Sequence, residues 1–285
     1  LKLVINKIYG FTSASWEGEF VDPSRNKDNK VAKRGALFMR QLLVELQEMG
    51  VKAVHVKTDS IKIVEPTQAI ENDILKRGRD YGYEFEVVDV FDEFVLVNGS
   101  TYVGKDPDGI WHTKAKQFQE PYVYKKLFAL EDITDDDCTI TCSVKSPYEI
   151  HKVYPDGGFE FVGRVGKFLP VHDDAGIGAD LRRFNLDTQH DDGFVTGTKG
   201  YKFIEFTEWP AYKSQTEIDY SYWEKKVEEA VEKLAIYGFT PPGAEPIGEV
   251  PPWIAPCGEQ RWCEDCDDFI ENSDGSRWCK NKGVF

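Results

Sequence analysis

The sequence predicts an α+β fold: an antiparallel sheet with helices on one face, then a β-rich and helical region, then a small Cys-rich tail. Three observations carry this. Val54, Val56, Ile61 and Ile63 alternate with His55, Lys57, Ser60 and Lys62, the pattern of two half-buried strands joined by a tight turn at Lys57-Thr58-Asp59-Ser60. Phe38, Leu42, Leu46 and Met49 instead recur at helical spacing. Four cysteines, Cys257, Cys263, Cys266 and Cys279, crowd the last part of the chain behind a proline-rich stretch.

Taken in order, residues 1–10 read as the end of a helix broken by Gly10, followed by a turn-rich connection to Asn29. A helix runs from Val31 to Met49 with Gly50 as its stop, and it packs beneath the hairpin. Lys33 and Arg34 read as its solvated end. Pro66 and Thr67 open a second helix to Tyr81, with Ala69, Ile70, Ile74 and Leu75 as its stripe and Gly82 as its stop. Strands are expected at Tyr83–Val90, Phe94–Asn98 and Thr101–Lys105, with turns at Asn98-Gly99 and Pro107-Asp108-Gly109.

The acidic run Glu131–Asp137 reads as a solvated boundary loop. Residues 138–210 look β-rich with glycine turns, and Cys138 and Cys142 read as thiols on one face of a strand. His172-Asp173-Asp174 and His190-Asp191-Asp192 have metal-ligand chemistry, yet in polar glycine-rich loops they read as solvated turns. Ser221-Tyr222-Trp223-Glu224 is a capping box opening a helix with the stripe Trp223, Val227, Ala230, Val231 and Leu234. Pro241 to Pro256, with six prolines, reads as a stiff linker.

Composition limits the functions open to the chain. At 285 residues it can bury a sizeable core, and no apolar run approaches the roughly 20 residues of a membrane span, so no membrane partner is expected. The net charge is −15, opposite to the usual balance of a DNA binder. Its distribution is uneven: residues 1–130 hold 19 Lys/Arg and 19 Asp/Glu, leaving 16 basic against 31 acidic residues behind them. Any nucleic-acid surface is therefore a local groove, using Lys2, Lys7, Lys33, Arg34, Lys57, Lys62, Lys114 and Lys116; scattered surface lysines are the other reading.

Two stretches carry chemistry. Asp59 at a hairpin tip is placed to hold a hard cation such as Mg²⁺, with hydroxyls and lysines beside it for a phosphate-bearing ligand; an ordinary solvated turn is the other reading. Upstream, helical spacing brings Lys2, Asn6 and Tyr9 to one face, where a cation and an amide suit a triphosphate, the ring suits a base or sugar, and Gly10 allows close approach.

Lys2-x-x-x-Asn6-x-x-Tyr9-Gly10 resembles motif B of family B DNA polymerases, and Lys57-Thr58-Asp59-Ser60 resembles their motif C, usually Asp-Thr-Asp-Ser. Order and separation fit as well. Val31–Phe38 and Trp111–Phe128 look most like the bacteriophage branch. The resemblance implies a fingers end and palm over residues 1–130 and a thumb-like accessory region over 131–240; proline content and cysteine spacing add a linker over 241–256 and a Cys-rich candidate zinc module over 257–285. It further implies template-directed transfer from deoxynucleoside triphosphates to a primer 3′-hydroxyl with two divalent ions, in the cytoplasm of an infected host cell if phage-encoded.

The motif A aspartate precedes motif B in that family, so an N-terminal polymerase half is the implied partner, and this chain is a split subunit or part of a longer product. Nucleotide binding falls to Lys2, Asn6, Tyr9 and Gly10, metal binding and catalysis to Asp59, and DNA binding to Lys57, Thr58, Ser60, Lys62, Tyr102, Lys114 and Lys116. The pattern departs in three places: Lys57 replaces the first Asp of motif C, Ser100 stands where the Lys of a Lys-x-Tyr motif ending at Tyr102 belongs, and Ala115 replaces a Gly after Lys114. Lys57 cannot bind Mg²⁺. These departures keep a second function open, a non-catalytic DNA-binding or assembly module on a polymerase scaffold.

For the tail, C-x5-C-x2-C-x12-C offers four thiolates to a structural Zn²⁺, whose binding would supply folding energy that so few aliphatic residues cannot; a redox C-x-x-C is the alternative.

Overall fold

The computed structural model describes residue 10, residues 29–57, 59–172 and 176–244, and the backbone of three short strands between 269 and 284. The chain is mixed α+β and divides into two compact units, residues 1–102 and 103–285. Among the described residues, no helix is long and apolar enough to cross a membrane.

The first unit is built on helix α1 (Lys30–Glu48). Its stripe buries Phe38, Met39, Leu42 and Leu46, whereas Met49, expected on the same face, lies past the helix end and is exposed. Strands β1 (Ala53–Val56) and β2 (Ile61–Ile63) pair antiparallel, and Ile61 and Ile63 pack on the α1 core. Each buried apolar side chain here contributes about 1.5–3 kcal/mol.

Helix α2 (Gln68–Tyr81) adds Ile74 to this core, is capped by the Thr67 hydroxyl and ends at Gly82, whose φ of 91° suits a residue without a Cβ. Ala69 faces solvent instead of joining the stripe. Arg77 bridges the helices by pairing with Glu45 on α1 and Asp73 on its own helix. Arg34 is not merely a solvated helix end: it donates to the Tyr81 carbonyl at 2.9 Å and lies over the Tyr81 ring.

Residues 83–90 form no strand. Tyr83 and Phe85 turn inward against Phe38, while Val87, Val88 and Val90 stay exposed, so the alternation marks an extended segment that no neighbouring strand pairs. Strands β3 (Glu93–Asn98), β4 (Thr101–Lys105) and β5 (Trp111–Lys114) follow in one sheet in that order.

In the second unit, short helices α3 (Lys116–Gln119) and α4 (Pro121–Tyr124) lead into a π-helical turn at Lys125–Ala129. Seven strands follow: β6 (Ile140–Ser143), β7 (Tyr148–Val153), β8 (Phe159–Gly163), β9 (Val165–Val171), β10 (Asp180–Asn185), β11 (His190–Phe194) and β12 (Lys202–Glu205). They form two antiparallel sheets, ordered β12-β9-β6 and β11-β10-β7-β8. His190-Asp191-Asp192 thus lies in β11 and not in a loop, with Asp191 accepting from Arg182 on β10. His172 is exposed, and Asp173 and Asp174 lie outside the described residues.

Lys152 on β7 is 1% exposed, with Glu160 of β8 and Glu208 each at 2.9 Å and Glu205 of β12 at 4.0 Å. Burial works to strip its proton, but the hydrogen bonds to Glu160 and Glu208 prevail and hold its pKa above the ordinary lysine value. Short helix α5 (Trp209–Tyr212) leads to α6 (Ser221–Ala235), which buries Trp223, Ala230 and Leu234 as its stripe predicts. The capping box does not form. Asp219 takes its place, accepting from the Ser221 amide at 3.0 Å and the Ser221 hydroxyl at 2.6 Å.

Cys142 lies in β6 but Cys138 lies in the turn before it, where its carbonyl accepts from the Trp223 indole at 3.1 Å. The stretch read as a linker begins as packed chain. The Gly243 amide donates to the Leu127 carbonyl at 3.0 Å, and a Cβ at residue 243 would stand 2.0 Å from the Lys126 carbonyl oxygen. In the tail, β13 (Phe269–Glu271), β14 (Arg277–Cys279) and β15 (Gly283–Val284) form an antiparallel sheet.

The acidic run is exposed at Glu131, Asp132, Asp135 and Asp136, as a solvated loop should be, but three of its carboxylates are also tied to distant donors. Asp135 accepts from Trp209, Asp136 from Lys167, and buried Asp137 from Lys125 at 2.9 Å and from the Thr134 amide and hydroxyl. Burial acts to raise the Asp137 pKa, but these donors outweigh it and hold the carboxyl below its usual value. Its ionised form therefore stabilises the fold above the unfolded pKa of about 3.9, and that stabilisation is lost as the pH falls through the lower folded value. Urea unfolding at stepped pH is expected to show this acid-side loss in the wild type and a shallower one in Asp137→Asn. Identical acid limbs in the two proteins would contradict it.

Candidate functional site

The β1–β2 hairpin carries its candidate residues on a closed turn, with the Lys57 amide donating to the Ser60 carbonyl at 2.8 Å. Lys57, Asp59 and Ser60 are exposed there, and Thr58 lies outside the described residues. A carboxylate on a bend between paired strands is held by the backbone on both sides, so its position follows from the sheet register rather than from loop packing.

Register also sets what each hairpin face meets. Val56 pairs with Ile61 and His55 with Lys62, which puts His55 and Lys62 together on the face away from Ile61 and Ile63. His55 is 8% exposed and Val56 is 38% exposed, the reverse of what the alternation of apolar residues predicts. The reason is polar: one ring nitrogen of His55 lies 3.0 Å from the Gly99 carbonyl in the β3–β4 turn.

Lys62 and Tyr102, two of the predicted site residues, come together on this face. The Lys62 ammonium stands 4.8 Å from the Tyr102 ring centre, 5.1 Å from that of Phe91 and 5.7 Å from that of Phe94, with Asp89 at 3.9 Å. Cation–π contact of this kind is worth about 0.5–2 kcal/mol per partner, so the lysine is anchored to the rings. Burial, reinforced by Asp89, raises the Tyr102 pKa and keeps the phenol protonated. Phe91, Phe94, Asp89 and His55 were not among the residues the sequence picked out. The signal for the rings was their clustering around the β3–β4 hairpin that presents Tyr102.

Lys2, Asn6 and Tyr9 lie outside the described residues; Gly10, read as a helix breaker, is itself helical and exposed. Cys257, Cys263 and Cys266 also lie outside them, and Cys279 is placed by its backbone in β14. Among the described residues, no group of three or more His, Cys, Asp or Glu side chains could hold a metal ion.

Lys114 and Lys116 are exposed on either side of Ala115, in the second unit. Ala115 has φ 151° and ψ 147°, a region close to glycine-only that costs an alanine roughly 1–3 kcal/mol. Its surroundings enforce it. The Ala115 carbonyl accepts from the Phe118 and Gln119 amides, Gln119 donates to the Thr113 carbonyl at 2.9 Å, and the Thr113 hydroxyl donates to the Phe118 carbonyl at 3.1 Å. Glycine is what the resembled family carries here. Ala115→Gly is expected to stabilise the protein by about 1 kcal/mol, strain relief less the entropy that glycine adds to the unfolded chain. A denaturation midpoint that stays put or falls would show the backbone is not strained.

No protein-family model matches the chain, and no curated protein matches it.

Proposed function

We propose that the chain is the C-terminal part of a family B DNA polymerase of bacteriophage type, which extends a DNA primer with deoxynucleotides once an N-terminal polypeptide supplies the motif A carboxylate. The observation that carries this reading is the β1–β2 hairpin, whose Ile61 and Ile63 pack on the α1 core and which leaves Lys57, Asp59 and Ser60 of the motif C-like stretch exposed at its tip. The strained backbone of Ala115, at a position where the resembled family has glycine, supports it independently.

Asp59 fits the ion such an enzyme needs. Mg²⁺ commonly takes one or two protein carboxylates and completes its shell with water and phosphate oxygens, and an exposed carboxylate between two paired strands offers this. When bound by Asp59 and the motif A carboxylate, the ions supply charge neutralisation at the reacting phosphate. The other residues bind and orient. Lys2 and Asn6 hold the triphosphate, Tyr9 rests against the base or sugar, and Gly10 leaves room beside it. Lys57, Thr58, Ser60, Lys114 and Lys116 face the DNA backbone, and Lys62 fixes the ring of Tyr102 beneath the primer terminus. In the tail, Cys257, Cys263, Cys266 and Cys279 hold a structural Zn²⁺.

Lys57 favours a second reading. An ammonium stands two residues from Asp59 at the tip, where the resembled family has its other carboxylate, and this suits a non-catalytic DNA-binding or assembly module. Primer extension separates the two. With Mg²⁺, deoxynucleotides and primed DNA, extension is expected only when this chain and the N-terminal polypeptide are mixed, and Asp59→Ala is expected to lower the rate at least a hundredfold. A complex that assembles and binds primed DNA but never extends it would leave the binding module as the function.

A further inference from the structure

A cleft of about 320 Å³ opens in the second unit between the α3–α4 junction, strand β6, the 195–197 loop and helix α6. It gathers Lys116, Lys145, Arg183 and Lys226 against a single carboxylate, Glu120. Four cations in one cleft stand out in a unit, residues 103–285, that holds 34 acidic against 21 basic residues. Strand β6 contributes Cys142 to the wall, and Tyr148 and Tyr222 supply aromatic lining.

Two side chains in the cleft are incompletely matched by the protein. The Arg183 guanidinium donates through one terminal nitrogen to the Asp192 carbonyl at 3.0 Å and lies over the Tyr148 ring, yet its Nε is buried with no hydrogen-bond partner among the described residues. Glu120 Oε2 is likewise buried without a hydrogen bond and lies 3.6 Å from the Lys226 ammonium. The Cys142 thiol in the wall does not offset the cations as an anion. Burial pushes its pKa up to about 11 against the opposing pull of Lys116 and Lys226, so it stays neutral.

We propose that this cleft binds a phosphate monoester, its oxygens taken by Lys116, Lys145, Lys226 and Arg183. A dianion with three strong acceptors matches several cations and an unused guanidinium donor better than a carboxylate does. The volume admits a phosphate with about one sugar-sized group attached, at the small end of ligand cavities. The cleft draws its residues from the second unit alone, and although it shares Lys116 with the DNA face proposed above, the proposal does not rest on the polymerase reading.

Calorimetric titration of the full chain with inorganic phosphate, adenosine monophosphate and a short oligonucleotide with or without a 5′-phosphate tests it. Saturable one-to-one binding of phosphate and of the monoesters is expected, weakened at least tenfold in Lys145→Met/Lys226→Met. Glu120→Gln, which removes the competing carboxylate, is expected to tighten binding several-fold, and it decides the matter if the double variant loses its folded near-ultraviolet circular dichroism. Tighter binding of the mononucleotide identifies a free small ester as the natural ligand; preference for the 5′-phosphorylated oligonucleotide identifies a strand end. No saturable binding of any probe, or binding unchanged in a folded double variant and in Glu120→Gln, would overturn the proposal.

Discussion

The apolar seam between α1 and the β1–β2 hairpin is the contact on which the first unit depends. Phe38, Leu42 and Leu46 lie along one side of the helix, and Ile61 and Ile63 of the hairpin close over the cluster they form. Without that seam a two-stranded ribbon is marginal in water, and the turn bearing Asp59 would have no fixed position. The opposite hairpin face is held by different chemistry, His55 at the Gly99 carbonyl and Lys62 over three aromatic rings. A ribbon gripped on both faces has its strand register fixed up to Val56 and Ile61, the residues that flank the tip.

The second unit is joined by buried polar groups as much as by apolar ones. Lys152 gathers carboxylates from β8, β12 and the turn before α5, linking strands of both sheets through one ammonium. Such a cluster is weak evidence for net stability, because desolvation offsets much of the attraction, but removing one partner leaves buried charge uncompensated. It therefore specifies which strands meet. The Trp223 indole plays a similar part from α6, reaching the Cys138 carbonyl while Tyr122 stacks on its ring at 5.3 Å.

Local pattern made much of this legible. The stripe of α1, the Thr67 cap and Gly82 stop of α2, the hairpin turn and the Trp223 stripe of α6 each follow from residues within one or two turns of each other. What the sequence hid depends on distant partners. The alternation at residues 83–90 looks like a strand until the absence of a neighbour is seen, and the acidic run looks solvated until Lys125, Lys167 and Trp209 arrive from elsewhere. His55 is buried against its pattern because the Gly99 carbonyl, 44 residues away, accepts a hydrogen bond from its ring N–H, which no local signal announces. Asp59 could be picked out as a candidate from sequence because its carboxylate and the turn that carries it are contiguous. The cationic cleft was not, since Lys116, Lys145, Arg183 and Lys226 come from four separate elements.

The central claim is that the hairpin tip is where a divalent ion sits in the working assembly. The most direct measurement is paramagnetic broadening of amide resonances by Mn²⁺ in the complex of this chain with the N-terminal polypeptide and primed DNA. The account predicts strong broadening at Lys57, Asp59 and Ser60, abolished in Asp59→Ala while the complex remains assembled. Broadening that spares the hairpin tip, or that is the same without the Asp59 carboxylate, would contradict it.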